Sequence, residues 1–232
     1  MLIRDDTVIG TILWWLQGDS AALGMVIVDA GHRRQGLGKV LVSAAMDALG
    51  DRRVLLCATS DGAPGYRRAG FSACGQVDQH TGVPTDVVAS GAVIEAVPAE
   101  VSAICALDAA ARGWARDELV TALTDVGTCW VIRDGAEITG YAITRDHGYG
   151  VVSGPVVAKT KEDAKALIGT CLFHHQSEIC RFDTNPALGL GDWLTQIGLP
   201  KRGNGTVMVR GSAPAVGSDA PVIYALASQA FG

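Results

Sequence analysis

The chain has 232 residues, 48% of them hydrophobic and 19% charged, with a formal net charge of −5. That is too apolar for a disordered chain and long enough for one large domain or two small ones. The acidic balance excludes a broad nucleic-acid-binding surface, so a bound anion must be met by a local basic cluster.

Met1–Arg4 and Val8–Gln17 read as strands joined by a turn at Asp5-Asp6, and Ala21–Asp29, rich in β-branched residues, reads as a third. From about Gln35 the period changes: Leu37, Val40, Leu41, Ala44, Ala45 and Ala48 make one apolar stripe of a helix. Arg53–Thr59 reads as a buried strand, Pro64–Ala69 as a short helix stopped at Gly70, and Gly75–His80 as a closing strand. Beyond these, Ala92–Val97 is predicted as a strand, with helices at Pro98–Ala111 and Arg116–Leu123. The six cysteines form no CxxC pair, which fits reduced thiols of a cytoplasmic protein. Asp5 and Asp6 stand ahead of the apolar run Val8–Leu16 where a signal peptide needs positive charge. No apolar stretch approaches the ~20 residues that cross a bilayer, so neither membrane nor nucleic acid is expected as a partner.

The sequence repeats itself. Leu2-Ile3-Arg4-Asp5 returns as Val131-Ile132-Arg133-Asp134, and Val8-Ile9-Gly10-Thr11-Ile12 as Ile138-Thr139-Gly140-Tyr141-Ala142. At the same spacing of 130, Gly24-Met25-Val26-Ile27 falls on Gly154-Pro155-Val156-Val157; Gly70-Phe71 finds Gly198-Leu199 after a slip of two. Ordered matches at a near-constant offset predict two copies of one α/β unit, residues 1–90 and 91–232. The strand and two helices predicted within 93–130 have no counterpart in the first copy, and the tail Ala220–Phe231 is a candidate to fill their place.

The most distinctive local feature is His32-Arg33-Arg34-Gln35-Gly36-Leu37-Gly38-Lys39, set between a strand and an amphipathic helix. A helix start offers unpaired N–H groups, and glycines there let an anion approach the backbone. The cations of this segment strengthen a pyrophosphate reading; a solvated basic turn is the plainer alternative. A Walker loop fails because Arg33 occupies the first glycine position and Val40 follows Lys39. A dinucleotide fingerprint fails at Leu41, where glycine or alanine is required.

Arg33-x-x-Gly36-x-Gly38 resembles the Arg/Gln-x-x-Gly-x-Gly/Ala loop of the GCN5-related N-acetyltransferase superfamily. Tyr66-Arg67-Arg68-Ala69-Gly70-Phe71 resembles that family's Tyr-x-x-x-Gly-Phe element at the matching separation. The resemblance implies tandem α/β (α+β) domains, each a mixed, largely antiparallel sheet flanked by helices. It implies acetyl-CoA as co-substrate, its pantetheine arm along the main chain of Met25, Val26, Ile27 and Val28. Its pyrophosphate would lie on Arg33, Arg34, Gln35, Gly36, Leu37, Gly38 and Lys39. A bulge near Met25–Val28 would splay the strands into a thioester slot, and Tyr66 would be the general acid. Thr59 would be a further cofactor contact, at a position where the family commonly has Asn. No general base is evident: Asp19, Asp29, Asp78 and His80 read as surface groups before they read as catalytic ones. His174-His175 with Glu178 could suggest a metal, but no further ligand stands at sensible spacing, so a surface helix is the reading.

In the second copy Arg33, Gly36 and Gly38 become Asp163, Ala166 and Ile168, and Tyr66 becomes Leu194. An acid where a phosphate loop needs arginine repels the ligand, so the second copy is expected to support the first without binding cofactor. The expected activity is direct acetyl transfer to a primary amine of a small molecule or peptide. A second copy of the chain is a candidate partner. The rival expectation is a non-catalytic CoA-binding or interaction module.

Overall fold

The computed structural model describes residues 1–212 and 216–231. The first repeat runs β1 (Leu2–Arg4), β2 (Thr7–Gln17), β3 (Ser20–Val28), α1 (Leu37–Leu49), β4 (Arg53–Ala58), α2 (Ala63–Arg68) and β5 (Ser72–Gly82). The second runs β6 (Val93–Glu95), α3 (Val101–Arg112), α4 (Asp117–Val126), β7 (Thr128–Asp134), β8 (Glu137–Asp146), β9 (Val151–Ala158), α5 (Lys161–Phe173), β10 (Cys180–Thr184), α6 (Gly191–Gln196) and β11 (Lys201–Arg210), and β12 (Val222–Ala225) follows it. Elements β6, α3 and α4 have no counterpart in the first repeat. No helix among the described residues is long and apolar enough to cross a membrane.

The chain forms two compact units, and each draws on both repeats. The first unit comprises Met1–Gly75 with the described parts of Gly205–Ala213 and Gln229–Gly232. Its strands lie in the order β1-β2-β3-β4-β11, with β3 and β4 parallel and the other pairs antiparallel. One face of this sheet is covered by the apolar side of α1, where Leu41, Val42, Ala45, Met46 and Leu49 pack with Ile12, Leu23, Val54, Leu56 and, from β11, Met208. Fully burying one such leucine contributes about 1.5–3 kcal/mol, so this stripe holds the helix and thereby aims its N-terminus.

The second unit comprises Gln76–Asn204 and the described part of Pro214–Ser228. Its order is β5-β10-β9-β8-β7-β6, with β12 paired to β9. The last strand of each repeat is thus exchanged: Asp78–Gly82 of β5 pairs with β10 of the second repeat, while Thr206–Arg210 of β11 pairs with β4 of the first. Beneath α3 lies a buried polar cluster. Arg116 donates two hydrogen bonds to Asp108 at 2.7 and 2.9 Å, and the Tyr141 hydroxyl donates a third at 2.5 Å. Burial works to raise the Asp108 carboxyl, but Arg116 overcomes it and holds the group below the ordinary carboxylate range.

The repeat is plainest in a shared irregularity. Between Thr11↔Ile27 and Leu13↔Gly24, β2 has one residue where β3 has two, Met25 and Val26; this is a β-bulge with Met25 at φ 52°. Between Ala142↔Val156 and Thr144↔Ser153 the same count recurs, with Gly154 and Pro155 as the two residues on β9. The tail Ala220–Phe231 brings no helix to the first unit: Val222–Ala225 pairs with β9, and Gln229–Phe231 reaches the first unit.

Candidate active site

The bulge sets the shape of the first unit's cleft. Strand β4 pairs with β3 only across Ser20–Leu23, and from Gly24 onward the two strands part. The opening leads into a cleft of about 1460 Å³. One wall is Met25, Val26, Ile27 and Val28, the second half of β3. The opposite wall carries Thr59 and, on α2, Tyr66. The roof is the loop before α1 and the start of that helix: Arg33, Arg34, Gly36, Leu37, Gly38 and Lys39 all line the cleft. Gln35 is not part of that lining.

The loop is held by local contacts: His32 N donates to Asp29 O at 2.9 Å and Lys39 N to Gly36 O at 3.0 Å. Asp29 accepts from Gly31 N at 3.0 Å and from His32 Nδ1 at 2.7 Å, and the hydrogen bond from His32 keeps its carboxyl below the usual carboxylate range. Arg33 Nε donates to Val28 O at 3.2 Å, fixing the loop to the strand it leaves. Arg34 and Gly36 both take positive φ, 61° and 79°, and Gly36 is the N-cap of α1 with no side-chain hydrogen bond. A Cβ at Gly36 or Gly38 would meet nothing within 4 Å, so the helix start faces open space. With no acidic residue in the first turn, the positive end of the helix dipole is uncompensated there. His32, Arg68 and Arg210 add further basic groups, against Asp47 and Asp61. An acidic chain thus concentrates cations at one helix terminus.

Tyr66, within α2, packs edge-on against Phe71 with centroids 5.8 Å apart, which fixes its ring. Burial pushes its phenol above the ordinary value near 10, so the hydroxyl keeps its proton through neutral pH. Thr59 Oγ1 accepts from Gly62 N at 3.2 Å, closing the turn that carries Tyr66. Arg210 was not foreseeable from any local motif. It comes from β11 of the second repeat, and its Nη1 is buried with no hydrogen-bond partner among the described residues.

The other candidates fall elsewhere. Asp78 and His80 lie in the second unit, where Asp78 pairs with Lys201 Nζ at 2.7 Å and the buried His80 hydrogen-bonds Leu199 O through Nδ1 at 2.8 Å. His174 stacks on Trp130, and His175 Nδ1 pairs with Glu178 at 2.8 Å. Asp163, in the position of Arg33, gives its backbone N–H to Thr160 Oγ1 at 3.1 Å, and Leu194, in the position of Tyr66, is fully buried.

Residues 1–73 and residues 104–225 each match an acetyltransferase (GNAT) domain family. The chain is similar to an uncharacterized N-acetyltransferase of Bacillus subtilis, 26% identical over 97% of this chain and 81% of the relative. Among solved structures it resembles an acetyltransferase assigned from Pyrococcus horikoshii, with a TM-score of 0.81 at 16% identity, covering 98% of this chain and 78% of that one. It also resembles a tandem GNAT protein from the clavulanic acid biosynthesis pathway, with a TM-score of 0.58 at 13% identity over 92% and 82% of the two chains. At these identities the two structures show the shared fold.

Proposed function

The chain belongs to the GNAT acetyltransferase family and is an acyltransferase, and on that premise we propose that its first unit transfers the acetyl group of acetyl-CoA directly to a primary amine. The observation that carries this reading is the single cleft that gathers an open helix start, a bulged strand and a protonated tyrosine. The residues fit the ligand. The unobstructed Gly36 and Gly38 leave room for a pyrophosphate at the loop Arg33–Lys39, on the amides between its two ends, with Arg33, Arg34 and Lys39 as its charge partners. Gln35 and Leu37 complete that loop through their main chain. Met25–Val28 offer backbone groups to the pantetheine arm along the half of β3 that β4 has left. Thr59 stands on the opposite wall.

Acetyl-CoA supplies an activated thioester carbonyl. Backbone N–H at the Met25 bulge polarises that carbonyl, an oxyanion-type contribution. As the amine nitrogen bonds to the acyl carbon and the carbon–sulfur bond breaks, Tyr66 Oη gives its proton to the departing sulfur, the amine's surplus proton leaves to solvent, and solvent returns a proton to Tyr66 Oη. The acceptor is a small-molecule or peptide amine. Calorimetry with acetyl-CoA beside a thiol-release assay over a panel of amines tests the reading. Binding with turnover is expected; binding without turnover would favour a CoA-binding module, and no binding would remove both.

A further inference from the structure

The bulge in β3 has a second neighbour. Leu23, Leu56 and Ala58 point into the core beneath α1, so Gly24 and Cys57, one residue along from Leu23 and Leu56, face the other side of the sheet. Both line the foot of the cleft, where β3 and β4 part. On that side the chain returns as Gln229-Ala230-Phe231. A Cβ at Gly24 would stand 3.1 Å from Ala230 Cβ, so glycine is what lets the returning segment sit against the strand. The Cys57 thiol donates to Gln229 Oε1 at 3.6 Å. The segment is fastened at its far end, where the buried Gln17 donates from Nε2 to Phe231 O at 2.9 Å and the Phe231 ring meets Trp15 at 4.8 Å, nearly perpendicular. Gln229 and Ala230 therefore lie behind the foot of the slot, backing Cys57 on β4 and Gly24 on β3.

We propose that Gln229 and Ala230 gauge acyl length, forming the floor against which the acyl group of the thioester ends and so admitting acetyl while rejecting chains of four carbons or more. This rests on the proposed placement of the thioester at Met25–Val28. The two side chains act by limiting the depth behind Gly24 and Cys57 and take no part in the chemistry. A pocket distinguishes single methylenes by about 1–3 kcal/mol, or 10–200-fold, so two extra methylenes give a readable difference.

The test compares kcat/KM for acetyl-, propionyl- and butyryl-CoA in the full chain, with binding of each measured by calorimetry. The parent protein is expected to favour acetyl over butyryl by 100-fold or more on that methylene scale. The double variant Gln229→Ala, Ala230→Gly deepens the foot and is expected to raise the butyryl-to-acetyl ratio by about 10-fold or more. Ala230→Leu should lower the propionyl-to-acetyl ratio. A ratio is independent of the fraction of folded protein, so loss of stability does not mimic the effect. If both variants bind and use acetyl-CoA with the parent's chain-length profile, the gauge is overturned and the acetyl-CoA reading stands. If the parent protein binds none of the three thioesters, both fall.

Discussion

The bulge in β3 and the bulge in β9 are the same irregularity in two copies, and the protein uses them in opposite ways. In the first unit, Val26–Val28 run beside an open cleft with a bare helix start above them. In the second, the corresponding residues Val156, Val157 and Ala158 are paired with Ala225, Ile223 and Val222 of β12. Around that strand the gap is closed by Leu226 N donating to Asp183 O at 2.8 Å and Thr184 Oγ1 to Tyr224 O at 2.6 Å. Arg145, which stands where Trp15 stands in the first repeat, binds Gly154 O and Ala227 O. The helix above is capped by Thr160 and carries Glu162 and Asp163 in its first turn. A bulged strand creates a place for an extended chain; which chain fills it is decided by what lies above the strand and what the polypeptide itself delivers there.

The largest expected effect is at Tyr66. Tyr66→Phe should lower kcat by about 10²–10⁴-fold, with acetyl-CoA affinity by calorimetry changed less than about threefold. Equal loss of both would mean that the ring positions ligand and the phenol gives no proton. The buried cluster of Asp108, Arg116 and Tyr141 in the second unit should behave in the contrary way, through stability. Asp108→Asn, which removes the charge that Arg116 and Tyr141 converge on, should cost about 3–5 kcal/mol in denaturant unfolding. Because the Asp108 carboxyl is held below its unfolded value, its contribution is present above about pH 4 and lost as pH falls through the folded value. The variant should therefore lose part of the parent's acid sensitivity, and an unchanged acid limb would refute that assignment.

Smaller changes probe the filled slot. Thr160→Ala removes the cap of α5 and should cost about 0.5–2 kcal/mol in thermal unfolding, with no new anion binding. Asp163→Arg restores the charge of the first repeat's loop, yet with β12 in place calorimetry should still find one acetyl-CoA per chain. A second equivalent would show that charge, and not occupation by β12, closes the second slot.

Features carried by adjacent residues were legible in the sequence. Gly36, Gly38 and Tyr66 sit in short motifs whose spacing needs no knowledge of the fold, and the 130-residue offset aligns Gly24 with Gly154, at the two bulges. Element ends were less so: the helix expected from Pro98 begins as a 3-10 turn over Pro98–Glu100, where Glu100 accepts from Val97 N at 2.8 Å. The closing strand expected at Gly75–His80 runs Ser72–Gly82, and its end extends past His80 because Asp78–Gly82 pair with the other repeat's β10. Arg210 and Gln229–Phe231 could not be read at all. Arg210 reaches the cleft and Gln229–Phe231 the strands at its foot through contacts that span most of the chain, and no local pattern records such a partner.

The exchange of β5 and β11 has a consequence for how the protein is made. Ribosomes deliver the chain from its amino end at about 5–20 residues per second, so β4 emerges long before Thr206–Arg210, the segment that pairs with it. Until then β4 is an edge with unpaired N–H and C=O groups, the kind of template on which nascent chains associate wrongly. The first-made unit is therefore among the last to be finished, and its folding waits on translation of the second repeat. A chaperone requirement, or a dependence on the translation rate over residues 150–210, would be the cellular trace of that exchange.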